Sequence, residues 1–359
     1  MSRQGDAGSV VAVTGVAGSL GRLLVDLLAD DPGVERIVGI DIAEPAGGSP
    51  KLEFHTMDVG DARLAKVLPD ADAVVHLAFV SDQMRDEDRM REINVGGTQN
   101  MLEAAGAAGV RKVVHLSSAT VYGAHPDNGF PLTEDSPLRA GPDFAYPWHK
   151  LEAERMVEAF VEDHPEAVVT VLRPAITFGP GAENFLTRWL EAPRLMAVKG
   201  YEPPMQFVHE EDVASALGFA VKADLPGAYN VAPDGWMGAD EILERSGKKR
   251  VELPEAVAFS LAERMWRIGL SEGPPGELTF LMHPWVVDNA RLRSAGWRPW
   301  HTNSVALAET IEAHRSWIAL GRARVRKDDL AKGAAATLGV VGAMALMRRA
   351  RRKRGAKDP

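Results

Sequence analysis

Val10-Val11-Ala12-Val13-Thr14-Gly15-Val16-Ala17-Gly18-Ser19-Leu20-Gly21 is the stretch on which the reading of this 359-residue chain turns. A β-branched apolar run is followed without a break by spaced glycines and then by the amphipathic segment 22–28, which reads as strand, tight turn and helix. The spacing of Gly15, Gly18 and Gly21 is G-x-x-G-x-x-G. Glycines there let the backbone turn sharply, approach a pyrophosphate and pack the helix on the strand, with free amides at the helix start facing the anion. The next strand ends at Gly39-Ile40-Asp41, twenty residues after Gly21. Asp41 is placed to accept hydrogen bonds from an adenosine ribose, and its charge repels a 2′-phosphate, which favours NAD over NADP.

Outward from that unit, short β-branched runs alternate with helical periodicity. Strands are predicted at 9–14, 36–40, 52–57, 73–77, 112–116 and 168–172, and helices at 20–29, 85–108 and 147–161. This is the pattern of an α/β protein with a doubly wound parallel Rossmann sheet. Regularity weakens after Arg173-Pro174, and Gly179-Pro180-Gly181 marks a loop. The predicted division is a dinucleotide-binding domain at 1–175, a smaller substrate lobe at 176–320 interleaved with it, and a tail at 321–359. Asp58-Val59 follows the third strand, where a side chain and an amide can reach the adenine; a turn capping the next helix explains Asp58 equally well. Leu77-Ala78, at the end of the fourth strand, is predicted to pass beneath the cofactor.

Composition narrows the function classes. Hydrophobic residues make up 45% and charged residues 25%, as in a protein that buries a large core. Cysteine is absent, so disulfides, thiolate metal sites and a cysteine nucleophile are excluded, and no metal site is read. No export signal is recognisable at the start, and a cytoplasmic location is expected. The net charge of −9 hides an asymmetry: residues 321–359 carry +9, leaving −18 on the rest, an acidic body that argues against nucleic acid as a partner. Within the tail, the uncharged run 333–347 precedes Arg348-Arg349-Ala350-Arg351-Arg352-Lys353-Arg354. As a helix that run spans about 22 Å, short of a bilayer core of about 30 Å, so the expectation is peripheral membrane contact through 332–354. Ala335, Gly339 and Ala343 recur on one helical face, and a homodimer is the other partner kept open.

The chemistry-bearing residues lie in the middle of the chain. Tyr146-Pro147-Trp148-His149-Lys150 opens a helix, and residues four apart share a face. Tyr146 then stands beside Lys150, whose ammonium, together with the positive nicotinamide, is expected to lower the phenol pKa and make it a general acid/base. Ser118, in Ser117-Ser118-Ala119-Thr120-Val121-Tyr122-Gly123, follows a strand where parallel sheets bind ligands, and is placed to orient a substrate oxygen. Asn94 is read chiefly as support for a helix bend, and His76 as a core residue.

Taken in order, TGVAGSLG, HLA, INVGGT, SSATVYG, YPWHK, LRPAITFGPG, QFVHEEDVA and YNVA resemble the extended short-chain dehydrogenase/reductase family, in its NAD-dependent epimerase/dehydratase branch, over most of 10–235. The resemblance implies an enzyme, with Ser118, Tyr146 and Lys150 as catalytic triad. It also implies NAD held by Gly15, Gly18, Gly21, Asp41 and Lys150, with Pro174 beginning the loop along the nicotinamide. Nucleotide-sugar 4-epimerases of this branch use an asparagine near the substrate diphosphate where Asn184 stands, which implies a nucleotide sugar. They also usually carry an arginine just before the aromatic of F-V-H, where this chain has Gln206, and a later R-P-G-D-like signature is not evident near 280–284. His149 replaces a small residue and is expected to crowd the pocket. Trp148, Trp189, Met196, Met205 and Trp236 fall in segments able to line a cleft, which keeps a membrane-associated hydroxysteroid or lipid-alcohol dehydrogenase as alternative. A noncatalytic dinucleotide sensor is the remaining one, which the intact triad opposes.

Overall fold

The computed structural model describes residues 8–320 and 323–329. Its first half runs β1 (Ser9–Thr14), α1 (Ser19–Ala29), β2 (Val34–Asp41), β3 (Leu52–Thr56), α2 (Leu64–Val67), β4 (Ala73–His76), α3 (Glu87–Arg91), α4 (Gly97–Ala108), β5 (Lys112–Leu116), α5 (Ala145–Asp163) and β6 (Val168–Pro174). The second half adds β7 (Ile176–Phe178), α6 (Phe185–Glu191), β8 (Leu195–Val198), β9 (Phe207–His209), α7 (Glu210–Lys222) and β10 (Gly227–Val231). It ends with α8 (Ala239–Ser246), β11 (Arg250–Leu253), α9 (Glu255–Arg267), α10 (Ala290–Ser294), α11 (Asn303–Ala313), β12 (Trp317–Leu320) and β13 (Ala323–Arg326).

Seven strands form one parallel sheet in the order β10-β6-β5-β4-β1-β2-β3. Because both faces are covered, alternate residues of β1 feed two separate cores. Val11 and Val13 join the core that includes Leu24 and Leu28 of α1 and Val213 and Leu217 of α7, whereas Ala12 faces Met101 and Leu102 of α4 and Val157 and Phe160 of α5. This period of two explains why the strands read as unbroken apolar runs. β10 and α7 come from beyond residue 176, so the later chain closes one sheet edge and covers one face. The strand order turns back between β1 and β4, where their C-terminal ends leave a crevice suited to a ligand. Small parallel pairs β7–β9 and β8–β11, the hairpin β12–β13 and a 3-10 turn at Pro275–Leu281 build the remaining side.

The helix predicted over 85–108 is broken. A π turn at Glu92–Gly96 separates α3 from α4. Buried Asn94 drives the insertion: its side-chain oxygen accepts from Val80 N at 2.7 Å and its amide donates to Val80 O at 3.0 Å, tying the bulge to the loop after β4. His76 is a satisfied core residue, bridging Thr14 and Thr98 at 2.8 and 3.0 Å, with burial pushing its imidazole down to about 3. Among the described residues no helix is long and apolar enough to cross a membrane. The membrane-contact segment 332–354 lies outside the described residues.

Candidate active site

At the mouth of the crevice the glycine turn is sterically compulsory at two positions. Gly15 has φ +78°, and a Cβ on it would fall 2.6 Å from Ala78 N; a Cβ on Gly21 would fall 2.2 Å from Gly15 O. Gly15 is therefore pressed on the Leu77-Ala78 backbone, and α1 is pressed on the turn. Gly18 is the N-cap of α1, and no side chain caps that helix, so its first-turn amides are left facing the cavity for an anion. Asp41, at the end of β2, accepts from Ala17 N at 2.9 Å and Ala43 N at 3.2 Å, which fixes its carboxylate beside the turn. Asp58 accepts from Gly60 N at 2.8 Å in the capping-turn arrangement, and Val59 is buried against Gly97. Leu77 and Pro174 line the cavity.

Deeper in, β5 and α5 bring Ser118, Tyr146 and Lys150 to one cavity of about 1040 Å³. Ser118 Oγ accepts from Thr120 N at 3.2 Å and from Thr120 Oγ1 at 2.9 Å. Both acceptor positions being used, its own proton is left for the side facing the Tyr146 phenol, whose ionised form Ser118 favours. The expectation that Lys150 lowers the tyrosine pKa is corrected. Lys150 Nζ donates to Leu116 O at 2.6 Å and stands 3.6 Å above the Phe79 ring, but 6.0 Å from the Tyr146 ring centroid. Burial pushes Tyr146 up to about 12 against the opposing Ser118 hydrogen bond, and pushes Lys150 down to about 7 against the attraction of Glu154.

A buried network behind this group escaped the sequence reading. Glu154, one turn beyond Lys150, receives the Ser117 hydroxyl and pairs with Arg173 of β6, whose Nη2 lies 2.6 Å from Glu154 Oε2. Arg173 also donates to the Tyr122 hydroxyl at 2.9 Å, which donates to Asn230 of β10 at 2.8 Å. The helix bearing Tyr146 is thus keyed to β5, β6 and β10. The available signal was the Lys150–Glu154 spacing on one helical face, with a lone arginine ahead of Pro174.

The sequence profile of the NAD dependent epimerase/dehydratase family matches residues 11–232. The chain belongs to that family. It is an enzyme of the epimerase/dehydratase type, with NAD as its cofactor. An uncharacterized protein of Mycobacterium tuberculosis is 30% identical over 86% of this chain and 88% of its own length. The UDP-glucose 4-epimerase of Mycolicibacterium smegmatis is 30% identical over 85% of this chain and 98% of its own. Among solved structures, a UDP-N-acetylglucosamine 4-epimerase of Methanobrevibacter ruminantium superposes with a TM-score of 0.68 at 22% identity, covering 86% of this chain and 99% of the other, which shows the shared fold.

The substrate side of the enzyme differs from its sequence reading in several particulars. Asn184 lines the cavity but spends its side chain on structure: its oxygen caps α6 through Leu186 N and Thr187 N at 3.0 and 3.1 Å, and its amide donates to Thr177 O at 2.8 Å. His149 does not crowd the pocket; it is buried toward Asn94, 3.5 Å away. Trp189 and Met196 line the cavity, whereas Met205 is buried in a bridge to Met237 and Trp236 stacks edge-on with Phe130 outside it. Gln206 is buried, its amide donating to Pro233 O, Gly235 O and Val287 O and its oxygen accepting from Val287 N, so it offers nothing to a diphosphate. Cations missed by the sequence reading, Arg188 and Arg194, line the cavity instead. Arg188 Nε stands 3.6 Å from Glu272.

His209, Glu211 and His301 bring ligand-type atoms within 4.8 Å of one another. His209 Nδ1 accepts the Glu211 amide at 3.2 Å, so in the neutral ring Nε2 carries the proton and donates to Glu309 at 3.1 Å. That tautomer serves α7 as a cap and presents no free lone pair to a metal.

Proposed function

We propose that the enzyme acts on a hydroxyl of a nucleotide sugar, with Tyr146 as acid/base. The observation that carries this reading is that Ser118, Tyr146 and Lys150 line one cavity together with the glycine turn and the start of α1. The residues present fit NAD: the Gly15–Gly21 turn admits no Cβ at its tightest points, the α1 amides are uncapped, and Asp41 is fixed beside them. In this reading residues 1–175 supply the pyrophosphate and ribose contacts through Gly15, Gly18, Gly21 and Asp41, with Leu77 and Ala78 beneath and Lys150 and Pro174 at the nicotinamide end. NAD, when bound, supplies hydride acceptance and return at the substrate carbon. Tyr146 rests as a phenol, the form that gives a proton to a carbonyl oxygen, and Ser118 can hold that oxygen in line once its single proton turns from the phenol to the substrate. Taking a proton needs the phenolate, and Lys150 is the side chain whose approach favours it. Residues 176–320 supply the other wall, where Arg188 and Arg194 offer the positive charge a diphosphate needs. The relation to the Mycolicibacterium smegmatis UDP-glucose 4-epimerase supports the same substrate class.

Phe144 and Phe185, which line the cavity with buried Phe280 packed behind them, favour one second reading, an apolar alcohol in place of the sugar. The NAD-loaded enzyme is offered UDP-glucose and, separately, a sterol, with product stereochemistry and NADH absorbance both followed. Epimerised sugar without net NADH is the expected outcome; turnover of the sterol alone overturns the sugar reading. In the same assay Tyr146→Phe lowers turnover by at least about 100-fold with NAD affinity retained. Wild-type turnover in that variant removes Tyr146 from its role.

A further inference from the structure

The carboxyl of Glu277 has no part in the chemistry described so far, yet it lines the same cavity as Tyr146 and Lys150. Its 3-10 turn is seated directly on the entry to α5. A Cβ on Gly276 would fall 2.6 Å from Asp143 O and 3.3 Å from Phe144 Cβ, and the Phe280 ring meets Phe144 edge-on at 5.9 Å. Phe144 in turn lies 6.5 Å from the Tyr146 ring. The turn therefore forms the wall at the reacting end of the cavity. The carboxyl lies across Gly273, where a Cβ would sit only 1.8 Å from Glu277 Oε1, so this position of the acid depends on glycine at 273. Among the described residues no hydrogen-bond donor or cation is paired with the Glu277 side chain.

We propose that Glu277 is a substrate-contacting residue, whose carboxyl meets the sugar ring across from the Ser118–Tyr146 pair and selects a neutral, hydroxyl-bearing ring over an anionic one. This rests on the nucleotide-sugar reading above. The carboxyl is half-buried in the cavity wall, and ring hydroxyls that displace water there supply the donors and acceptors that no protein group gives it. Burial, reinforced by the negative charge of Glu272, pushes Glu277 up to about 8. The other charged or titratable groups bordering the cavity are Glu183, Arg188 and Arg194 on the α6 side, Arg22 on α1, Tyr146 and Lys150 on α5, and Asp82 beyond β4. Near neutral pH the acid is protonated and can donate as well as accept, and above its pKa it repels an anionic ring substituent. The diphosphate is left to Arg188 and Arg194.

The test is calorimetric binding of UDP, UDP-glucose and UDP-glucuronic acid to the NAD-loaded enzyme at about pH 7 and about pH 9. In the wild type the preference for UDP-glucose over UDP-glucuronic acid rises about tenfold between the two pH values, because like charges then meet. In Glu277→Gln the rise is smaller than in the wild type, what remains being the loss of the Lys150 charge over the same interval, while the affinity for UDP matches the wild type. Gly273→Ala, whose new methyl displaces the carboxyl but keeps its charge, gives a smaller rise than the wild type. Thermal melts and NAD affinity establish that both variants are folded. The same rise in Glu277→Gln as in the wild type overturns the assignment. Absence of binding by the wild type of both UDP and dTDP, offered in parallel, instead overturns the nucleotide-sugar reading, and the role of Glu277 falls with it; UDP binding with an unchanged preference pattern in the variants overturns the role of Glu277 alone.

Discussion

At the cofactor end of the cavity the constraints are local in sequence, whereas at the substrate end Asn184, Arg188 and Glu277 arrive from α6 and from the turn after α9. Gly15 and Gly21 are required because backbone atoms of neighbouring segments occupy the space of their absent side chains. No comparable steric necessity marks Arg188 or Glu277; each matters through what stands opposite it in the folded cavity. A turn that must fit a helix onto a strand leaves its mark in one short segment, but a wall assembled from distant segments does not. The two ends should accordingly respond differently to substitution, and the elements that join them should respond most.

The joint is the Glu154–Arg173 pair, buried between α5 and β6. Arg173→Leu leaves the Glu154 carboxylate buried without its partner and should cost about 3 to 5 kcal/mol of stability. Replacing both residues by apolar ones of similar volume should cost less than the single change, since no unpaired charge remains. Denaturant unfolding of the two variants checks the order. A double variant less stable than Arg173→Leu would show that the network to Ser117, Tyr122 and Asn230, rather than the charge pair, holds the two ends together.

The next effect tests the cofactor end by itself. Asp41→Ala frees Ala17 N and Ala43 N and, on the proposed reading, also removes a ribose acceptor and a charge that repels a 2′-phosphate. The preference for NAD over NADP should narrow by about tenfold, read from equilibrium binding of the two cofactors. An unchanged preference would mean that the carboxylate serves only to hold the glycine turn, and that selectivity resides elsewhere.

The same contrast explains what could be read before the fold was known. The parallel sheet was legible because β1, β2, β4 and β5 are buried on both faces, so their apolar runs are unbroken and the glycine turn punctuates them. Ser118, Tyr146 and Lys150 were legible as types and spacings, and the structure places them on one cavity. The electrostatics around Tyr146 were not, because Lys150 has a competing acceptor in Leu116 O and a competing ring in Phe79. The bend at Asn94 was legible as a bend, but its form as a π turn was not, since the helical pattern continues through it and only the partner at Val80 shows why it forms. Arg188 and Glu277 carry no signature in their own segments; their significance appears only when α6 and the Pro275–Leu281 turn face each other across the cavity.

Asn184 is where the two kinds of constraint meet, and it gives the smallest expected effect. Sequence resemblance assigns it to the substrate, while the structure commits its oxygen to the first turn of α6 and its amide to Thr177 O. If the cap is its main service, Asn184→Ala should cost about 1 kcal/mol in thermal or chemical unfolding. Asn184→Ser, which keeps a capping oxygen but loses the amide donor, should recover most of that stability. Its effect on UDP-glucose affinity then separates the two roles. Retained affinity in Asn184→Ser leaves the diphosphate to Arg188 and Arg194, and the difference between the ends of the cavity stands as described. A tenfold loss of affinity with stability restored would make the amide a ligand contact and move one substrate determinant into the class that sequence alone reveals.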